Sequence, residues 1–186
     1  MKKILEQILS VKPEHLSSYD MSFVNKFNLF HDASCCSAQP GREHYRLLVF
    51  ISSLYNSNIL FDVGTNACRS ALCIAANPSN KVKSYDIIKV EPKDPVAPNV
   101  EFILGDSTID SDLKNSPFIM LDVDHDGTYE NIFYKHLCNT DWKGLLFLDD
   151  IHLNEAMKSF WNNITQEKHD ITHLGHWSGT GIVVFN

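Results

Sequence analysis

The chain has 186 residues, 44% hydrophobic and 21% charged, with a formal net charge of -7. That size and balance suit one soluble globular domain with a sizeable core. The acidic excess argues against a broad nucleic-acid or anionic-membrane surface, and no apolar run approaches the roughly 20 residues of a membrane span.

Residues 1–41 read as an N-terminal segment of short helices and loop. In MKKILEQILSV, Glu6 and Gln7 interrupt the apolar run, so an amphipathic helix is expected rather than a signal peptide. One or two short helices are expected over 1–30, and HDASCCSAQPG at 31–41 is a loop. Cys35 and Cys36 are adjacent, and Cys68, Cys73 and Cys138 have no CxxC partner. Five cysteines so spaced argue against a disulfide framework or a zinc site and for a reducing cytoplasm.

From Arg42 the pattern becomes regular. REHYRLLVFISSLY has apolar residues at helical spacing. NILFDVG is a short buried strand, and NACRSALCIAAN a helix closed by Asn77-Pro78. KVKSYD is a second strand, EPKDPVAPN a Pro-rich loop and VEFILGD a third strand. A short helix is expected within STIDSDLKN. PFIMLD, then TYENIFYKHL, then KGLLFLDD, then NEAMKSFWNNI continue as strand, helix, strand, helix. HDITHLGHWSGTGIVVFN reads as two strands joined by a tight SGTG turn. Such alternation predicts an α/β fold: a Rossmann-like, doubly wound, mostly parallel seven-stranded sheet with a final antiparallel strand and helices on both faces. Residues 1–186 form one domain, with 1–41 as a lid over a core at 42–186.

In such sheets ligands bind outside the carboxyl ends of the strands. Asp62 and Gly64, Asp86, Gly105 and Asp106, Asp122, and Asp149 and Asp150 all fall there. Helix capping is the competing reading for any one of these Asp residues.

LDVDHDGTYE at 121–130 admits three readings. An EF-hand loop counted from Asp122 needs a bidentate Glu at its twelfth position, where Phe133 stands. The DxDGT nucleophile motif of aspartate-dependent phosphatases needs a long downstream stretch, whereas most of this chain precedes the motif. The end of a parallel strand, with Asp122 in a crevice, remains.

Over about residues 40–186 the chain resembles class I S-adenosylmethionine-dependent methyltransferases. FDVGTNACRS is similar to their first motif, although Asn66 and Cys68 replace the later glycines. The resemblance implies Asp62 near the methionine ammonium, with Gly64, Thr65 and Ser70 in the same loop and helix. It implies Asp86 on the ribose hydroxyls and Gly105, Asp106 and Ser107 near the adenine. The same glycine loss counts against a dinucleotide enzyme, whose GxGxxG turn must approach a pyrophosphate.

The acidic strand ends resemble the metal-dependent O-methyltransferases. There Asp122, Asp149 and Asp150 would hold Mg²⁺. His125 stands where catechol-type enzymes place a Lys base, and it is similar to the enzymes that methylate sugar hydroxyls of macrolides and related glycans. The resemblance thus implies His125 as base with Asp122 beside it, His152 as rival base, and a sugar or glycan acceptor. His44, Tyr45, His152, His176 and Trp177 would line the acceptor pocket. A catechol-like small-molecule enzyme and a non-catalytic cofactor-binding module on the same fold are the alternatives. No nucleic-acid partner is expected, and a homo-oligomer is left open.

Overall fold

In a computed structural model of the chain, residues 1–26, 34–88 and 97–186 are described. Parts of the expected loops at 31–41 and 91–99 therefore lie outside them. The helices are α1 (Lys2–Ser10), α2 (Pro13–Ser17), α3 (Tyr45–Leu54), α4 (Arg69–Ile74), α5 (Thr128–Asn139) and α6 (Glu155–Asn163). The strands are β1 (Ile59–Val63), β2 (Lys81–Asp86), β3 (Val100–Leu104), β4 (Phe118–Leu121), β5 (Gly144–Asp149), β6 (Glu167–Asp170) and β7 (Thr180–Phe185). They form one sheet in the order β3-β2-β1-β4-β5-β7-β6. Only β7 runs antiparallel, inserted between β5 and β6.

The strands are apolar on both faces because helices cover both. Leu60, Met120, Phe147 and Ile182 point into one core with α3 and α4. Phe61, Ile119, Leu146 and Val183 point into the other, with Phe133 of α5 and Met157 and Phe160 of α6. This alternation is the period of two that a pleated strand imposes.

Helix α3 is buried from Tyr45 to Ser52, because the N-terminal segment lies over it. Leu5, Ile8, Leu16, Met21 and Val24 join the same core. Arg46 fastens this layer. Its guanidinium donates to the carbonyls of Ser17 at 3.1 Å, Ser37 at 3.0 Å and Ala38 at 3.0 Å, and to that of Tyr19. A planar fork with five donors suits several carbonyls arriving from different directions. Over its described residues, the segment expected to be a lid contributes Leu5, Ile8, Leu16, Met21, Val24 and Cys36 to this core.

Three expectations are corrected. STIDSDLKN forms two 3-10 turns, Ser107–Ile109 and Leu113–Asn115, rather than one helix. Asp110 separates them, its carboxylate taken up by Lys83 and Tyr85 of β2. The last two strands are joined by residues 171–179, not by a tight SGTG turn, and Thr180 already pairs with Asp149. The helix expected from Asn66 begins at Arg69, because Asn66 and Cys68 have positive φ of 37° and 64°.

The strand order reverses between β1 and β4, which are paired, so the loops that follow them diverge at the carboxyl edge. Gly64 follows β1 at φ +100°, and a Cβ there would lie 1.6 Å from the carbonyl oxygen of Asp122. Only glycine permits this approach. Gly64→Ala is expected to destabilise the fold by more than about 4 kcal/mol, the range of severe backbone and packing conflicts. An unchanged denaturant midpoint for that variant would contradict the close approach.

Candidate active site

Every strand-end residue singled out from the sequence lies along the carboxyl edge. At the β1 side, Asp62 is fully buried. Ser84 of the neighbouring β2 donates to its Oδ2 at 2.6 Å, and Thr65 shares a 2.7 Å hydrogen bond with the same Ser84 hydroxyl. Oδ1 of Asp62 meets no hydrogen-bonding partner among the described residues. Burial pushes the Asp62 carboxyl up to about 7, against the pull of the Ser84 and Ser70 hydroxyls. A buried carboxylate with a free oxygen is an incomplete arrangement that a cationic group would complete.

Next along the edge, Asp86 accepts from the backbone N–H of Asn66 at 3.0 Å and of Ile88 at 2.9 Å. It thereby holds the loop after β1 against the end of β2. The loop keeps a glycine-like shape without its later glycines, since Asn66 adopts positive φ and its N–H is tied to Asp86. Gly105 donates to the Asp86 carbonyl, and Asp106 caps the following turn through the Thr108 N–H. Tyr129 donates to the Asp106 carboxylate at 3.2 Å. Ser107 is buried, with its hydroxyl unpartnered among the described residues. The capping alternative thus holds for Asp106.

It does not hold at the other side. Helix α6 is capped by Asn154, whose side chain accepts from Met157 N–H. Asp149 and Asp150 are left for the crevice. His125 Nε2 lies 3.2 Å from Asp122 Oδ1 and 3.3 Å from Asp150 Oδ2. His176 Nδ1 lies 3.1 Å from Asp150 Oδ1 and 3.5 Å from Asp149 Oδ1. His44 Nδ1 lies 3.3 Å from Asp149 Oδ1. Ser178 donates to Asp150. Three carboxylates and three imidazoles therefore alternate across the ends of β4 and β5, the start of α3 and the 171–179 loop.

His125 is held firmly. It has φ 56°, a left-handed conformation uncommon outside glycine. The Glu130 carboxylate accepts from its N–H at 2.9 Å, and the Asn154 amide donates to its carbonyl at 2.8 Å. Asp150, at φ 59°, is similarly unusual. Backbone of this kind clusters at functional sites because surrounding structure must enforce it.

The electrostatics follow from this alternation. Burial alone would lower the His125 pKa, but Asp122, Asp150 and Asp149 outweigh it and push it up to about 9. His176 is likewise raised to about 10, against its burial, by Asp149 and Asp150. Burial raises Asp122, with His125 opposing and Asp149 adding to the rise. Asp149 is held well below the usual carboxylate range, because His44 and His176 outweigh its burial.

The structure separates residues that the sequence left together. His152 pairs with Asp170 at 2.7 Å on the exposed side of the 171–179 loop, away from the His125 cluster. Tyr45 packs in the core, and His44 is buried against Asp149 instead of facing an open pocket. Trp177 is 67% exposed, its ring edge-on to His176. The carboxylates Asp122, Asp149 and Asp150 do not form the tightest grouping. Among the described residues the ligand atoms that lie within 4.8 Å of one another belong to His44, Asp149 and His176. Glu43 and Asn154 were not marked by any motif, and their partners His176 and His125 are distant in sequence. Glu130 closes the LDVDHDGTYE stretch, but its hold on the His125 N–H is not apparent from the spacing.

No protein-family model matches the chain, and no curated protein matches it. Two solved structures share its fold. The SAH-bound methyltransferase PaMTH1 of Podospora anserina matches at a TM-score of 0.53 and 12% identity, over 100% of this chain and 87% of that one. A candidate caffeoyl-CoA O-methyltransferase of Staphylococcus aureus matches at 0.54 and 12%, over 98% and 96%.

Asp62 generates a test of the buried edge. Its folded pKa of about 7 exceeds the ordinary aspartate value of 3.8. The folded state therefore holds a proton that the unfolded chain loses first, and stability falls as pH rises between those values. The Asp62→Asn variant lacks this penalty. Its stability relative to the parent should increase from about pH 4 to about pH 7 and then level off. A difference that stays constant across a pH series of thermal melts would refute the raised pKa.

Proposed function

We propose that the chain is an S-adenosylmethionine-dependent O-methyltransferase acting on a sugar hydroxyl of a glycan or glycoside, with His125 as general base. The observation that carries this reading is the placement of His125. It stands at the β4 end, fixed from both sides of its backbone and bracketed by Asp122 and Asp150. The methyltransferase fold of PaMTH1 supports the cofactor, since that structure is SAH-bound.

The chain's own residues divide the work along the edge. Asp62, with one unpartnered oxygen, takes the cationic end of the cofactor, and Asp86 takes hydroxyls beside it. Gly64, Thr65, Ser70, Gly105, Asp106 and Ser107 shape the space between. Asp122 and Asp150 orient the His125 ring by engaging Nε2, so in the neutral ring Nδ1 is the nitrogen left to take the proton of an acceptor hydroxyl. A sugar hydroxyl is a weak nucleophile, so a positioned base that removes its proton lowers the barrier. Trp177, the most exposed aromatic beside the cluster, offers a stacking face for the acceptor.

A divalent cation belongs to this reading, with Asp122, Asp149 and Asp150 as the carboxylates that the family resemblance assigns to Mg²⁺. It supplies Lewis-acid stabilisation of negative charge on an acceptor oxygen. The crevice fits a cation: Asp149 Oδ1 is buried without a hydrogen-bonding partner among the described residues. The base must be neutral to accept a proton. While Asp122 and Asp150 are uncompensated, their field keeps His125 protonated up to about pH 9. Sharing them with a cation weakens that field.

A second reading is a small-molecule O-methyltransferase of the catechol type. The match to the candidate caffeoyl-CoA enzyme over nearly both full lengths favours it. The histidine at 125, where that type places lysine, favours the sugar reading. Neither reading involves nucleic acid. Among the described residues no helix is long and apolar enough to cross a membrane. No disulfide joins the cysteines among the described residues, and a cytoplasmic location is part of this proposal.

Transfer of labelled methyl groups to a glycan panel, with and without divalent cations, tests the proposal. His125→Ala should lower the rate on the order of 10²–10⁴-fold, the usual contribution of a general base. His152→Ala should not, and the opposite pattern would move the base to His152. The parent rate should rise with pH as His125 loses its proton, and saturating cation should move that rise to lower pH. Asp86→Ala should leave the fold intact and weaken S-adenosylmethionine binding in calorimetry by about tenfold or more, the loss of a charge-assisted hydrogen bond. Unchanged affinity would remove Asp86 from the cofactor site.

A further inference from the structure

The crevice holds a second arrangement that shares only Asp149 with the methyl-transfer reading. His44 is 2% exposed and Asp149 5%, and among the described residues neither ring nitrogen of His44 nor Oδ1 of Asp149 makes a hydrogen bond. Buried polar atoms without partners are rare. Here two of them, His44 Nδ1 and Asp149 Oδ1, face each other at ion-pair distance. His44 Nδ1 and His176 Nδ1 both approach the same oxygen, Asp149 Oδ1, at 3.3 Å and 3.5 Å.

Those distances suit ligands of a common ion. Nitrogen and oxygen ligands held at 2.0–2.2 Å in tetrahedral geometry lie about 3.3–3.6 Å apart. The residues come from three parts of the fold: the residue preceding α3, the end of β5 and the 171–179 loop. The outer groups are also in place. Glu43 lies 3.9 Å from His176 Nε2, on the side where a ligating imidazole commonly faces a carboxylate. Ser178 and Asp150 border His176 Nδ1.

We propose that His44, Asp149 and His176 form a binding site for one divalent transition-metal ion, of the Zn²⁺ or Co²⁺ class rather than Mg²⁺. Two imidazoles and one carboxylate are borderline ligands, which favour late first-row ions. Mg²⁺ prefers an all-oxygen octahedron. The inference deepens the proposed function, on which it rests for the purpose of the ion but not for its binding. It moves the cation from the Asp122, Asp149 and Asp150 set to a set that shares Asp149 alone. Zinc ligation, which the cysteine spacing argued against, is supplied by histidines instead.

Calorimetric titration of the chelator-treated full chain with Zn²⁺, Co²⁺ or Mg²⁺ alone tests this, with Co²⁺ also followed by its visible spectrum. One equivalent of Zn²⁺ or Co²⁺ should bind, on the order of 100-fold tighter than Mg²⁺. The Co²⁺ complex should show the intense visible bands of a low-coordinate site. His44→Gln and His176→Gln should each weaken Zn²⁺ binding by at least on the order of 100-fold, the upper end of what loss of an outer partner costs. His152→Gln should bind as the parent does. If buried His44→Gln fails to fold by circular dichroism, the half-buried His176→Gln decides the matter. Equal affinities for Mg²⁺ and Zn²⁺ would overturn the site. So would unchanged Zn²⁺ binding in His176→Gln, which would assign the ion to surface histidines or to the carboxylates. Titrating the same samples with S-adenosylmethionine separates the two readings. Cofactor binding without a Zn²⁺ site overturns this inference alone, whereas a Zn²⁺ site without cofactor binding overturns the proposed function alone.

Discussion

The structure turns on the convergence of carboxylates at the ends of β4 and β5. Parallel strands bring Asp122 and the Asp149–Asp150 pair to one edge, in a crevice where water screens them poorly. Like charges so placed repel strongly unless opposite charge is interleaved. Three imidazoles provide it, each from a different part of the chain. His125 comes from the loop after β4, His44 from the turn before α3 and His176 from the 171–179 loop. Each histidine is in turn fixed by ordinary packing. The burial of α3 under the N-terminal segment, through Arg46 and its four carbonyls, keeps His44 at the crevice floor.

The opposite half of the edge is arranged differently. Around Asp62 the carboxylate meets hydroxyls rather than histidines, and burial raises its pKa, whereas His44 and His176 hold Asp149 low. The same residue type thus serves two environments about a single opening. The neutral, incomplete side suits a ligand that brings its own positive charge. The charged side suits groups that exchange protons or share an ion. The Gly64 approach to the Asp122 carbonyl joins the halves, since it brings the first loop directly against the end of β4.

Much of this was legible in the chain. Short apolar runs alternating with helical periods define the sheet, and strand-end Asp residues mark its working edge. The antiparallel β7 was visible in the β-branched, glycine-punctuated IVVF segment, although its turn was not. The SGTG run resembles a hairpin turn. Yet Gly179 is required by the close backbone of His152, and Thr180 is already paired in the sheet. The partners of His44 could not be read, because a histidine beside a buried helix looks like any other packed aromatic residue. Only the fold brings residue 44 to residues 149 and 176. The later glycines missing from the first loop suggested a less permissive turn. Asn66 and Cys68 nevertheless adopt the left-handed conformations, with the Asp86 carboxylate bonded to the Asn66 N–H.

The position of β7 also bears on how the molecule is made. Strand β6 is synthesised before β7 but pairs with nothing else in the sheet. On a ribosome, β5 therefore emerges with an open edge, and β6 must wait unpaired with a gap between them. Exposed edges of this kind invite pairing with other chains. Arrival of β7 closes both edges in one step, and it draws the 171–179 loop, with His176, onto Asp149 and Asp150. A nascent chain stalled before that point would carry a nearly finished sheet and a crevice with its negative charges uncovered, a form that chaperones rather than substrates would meet first.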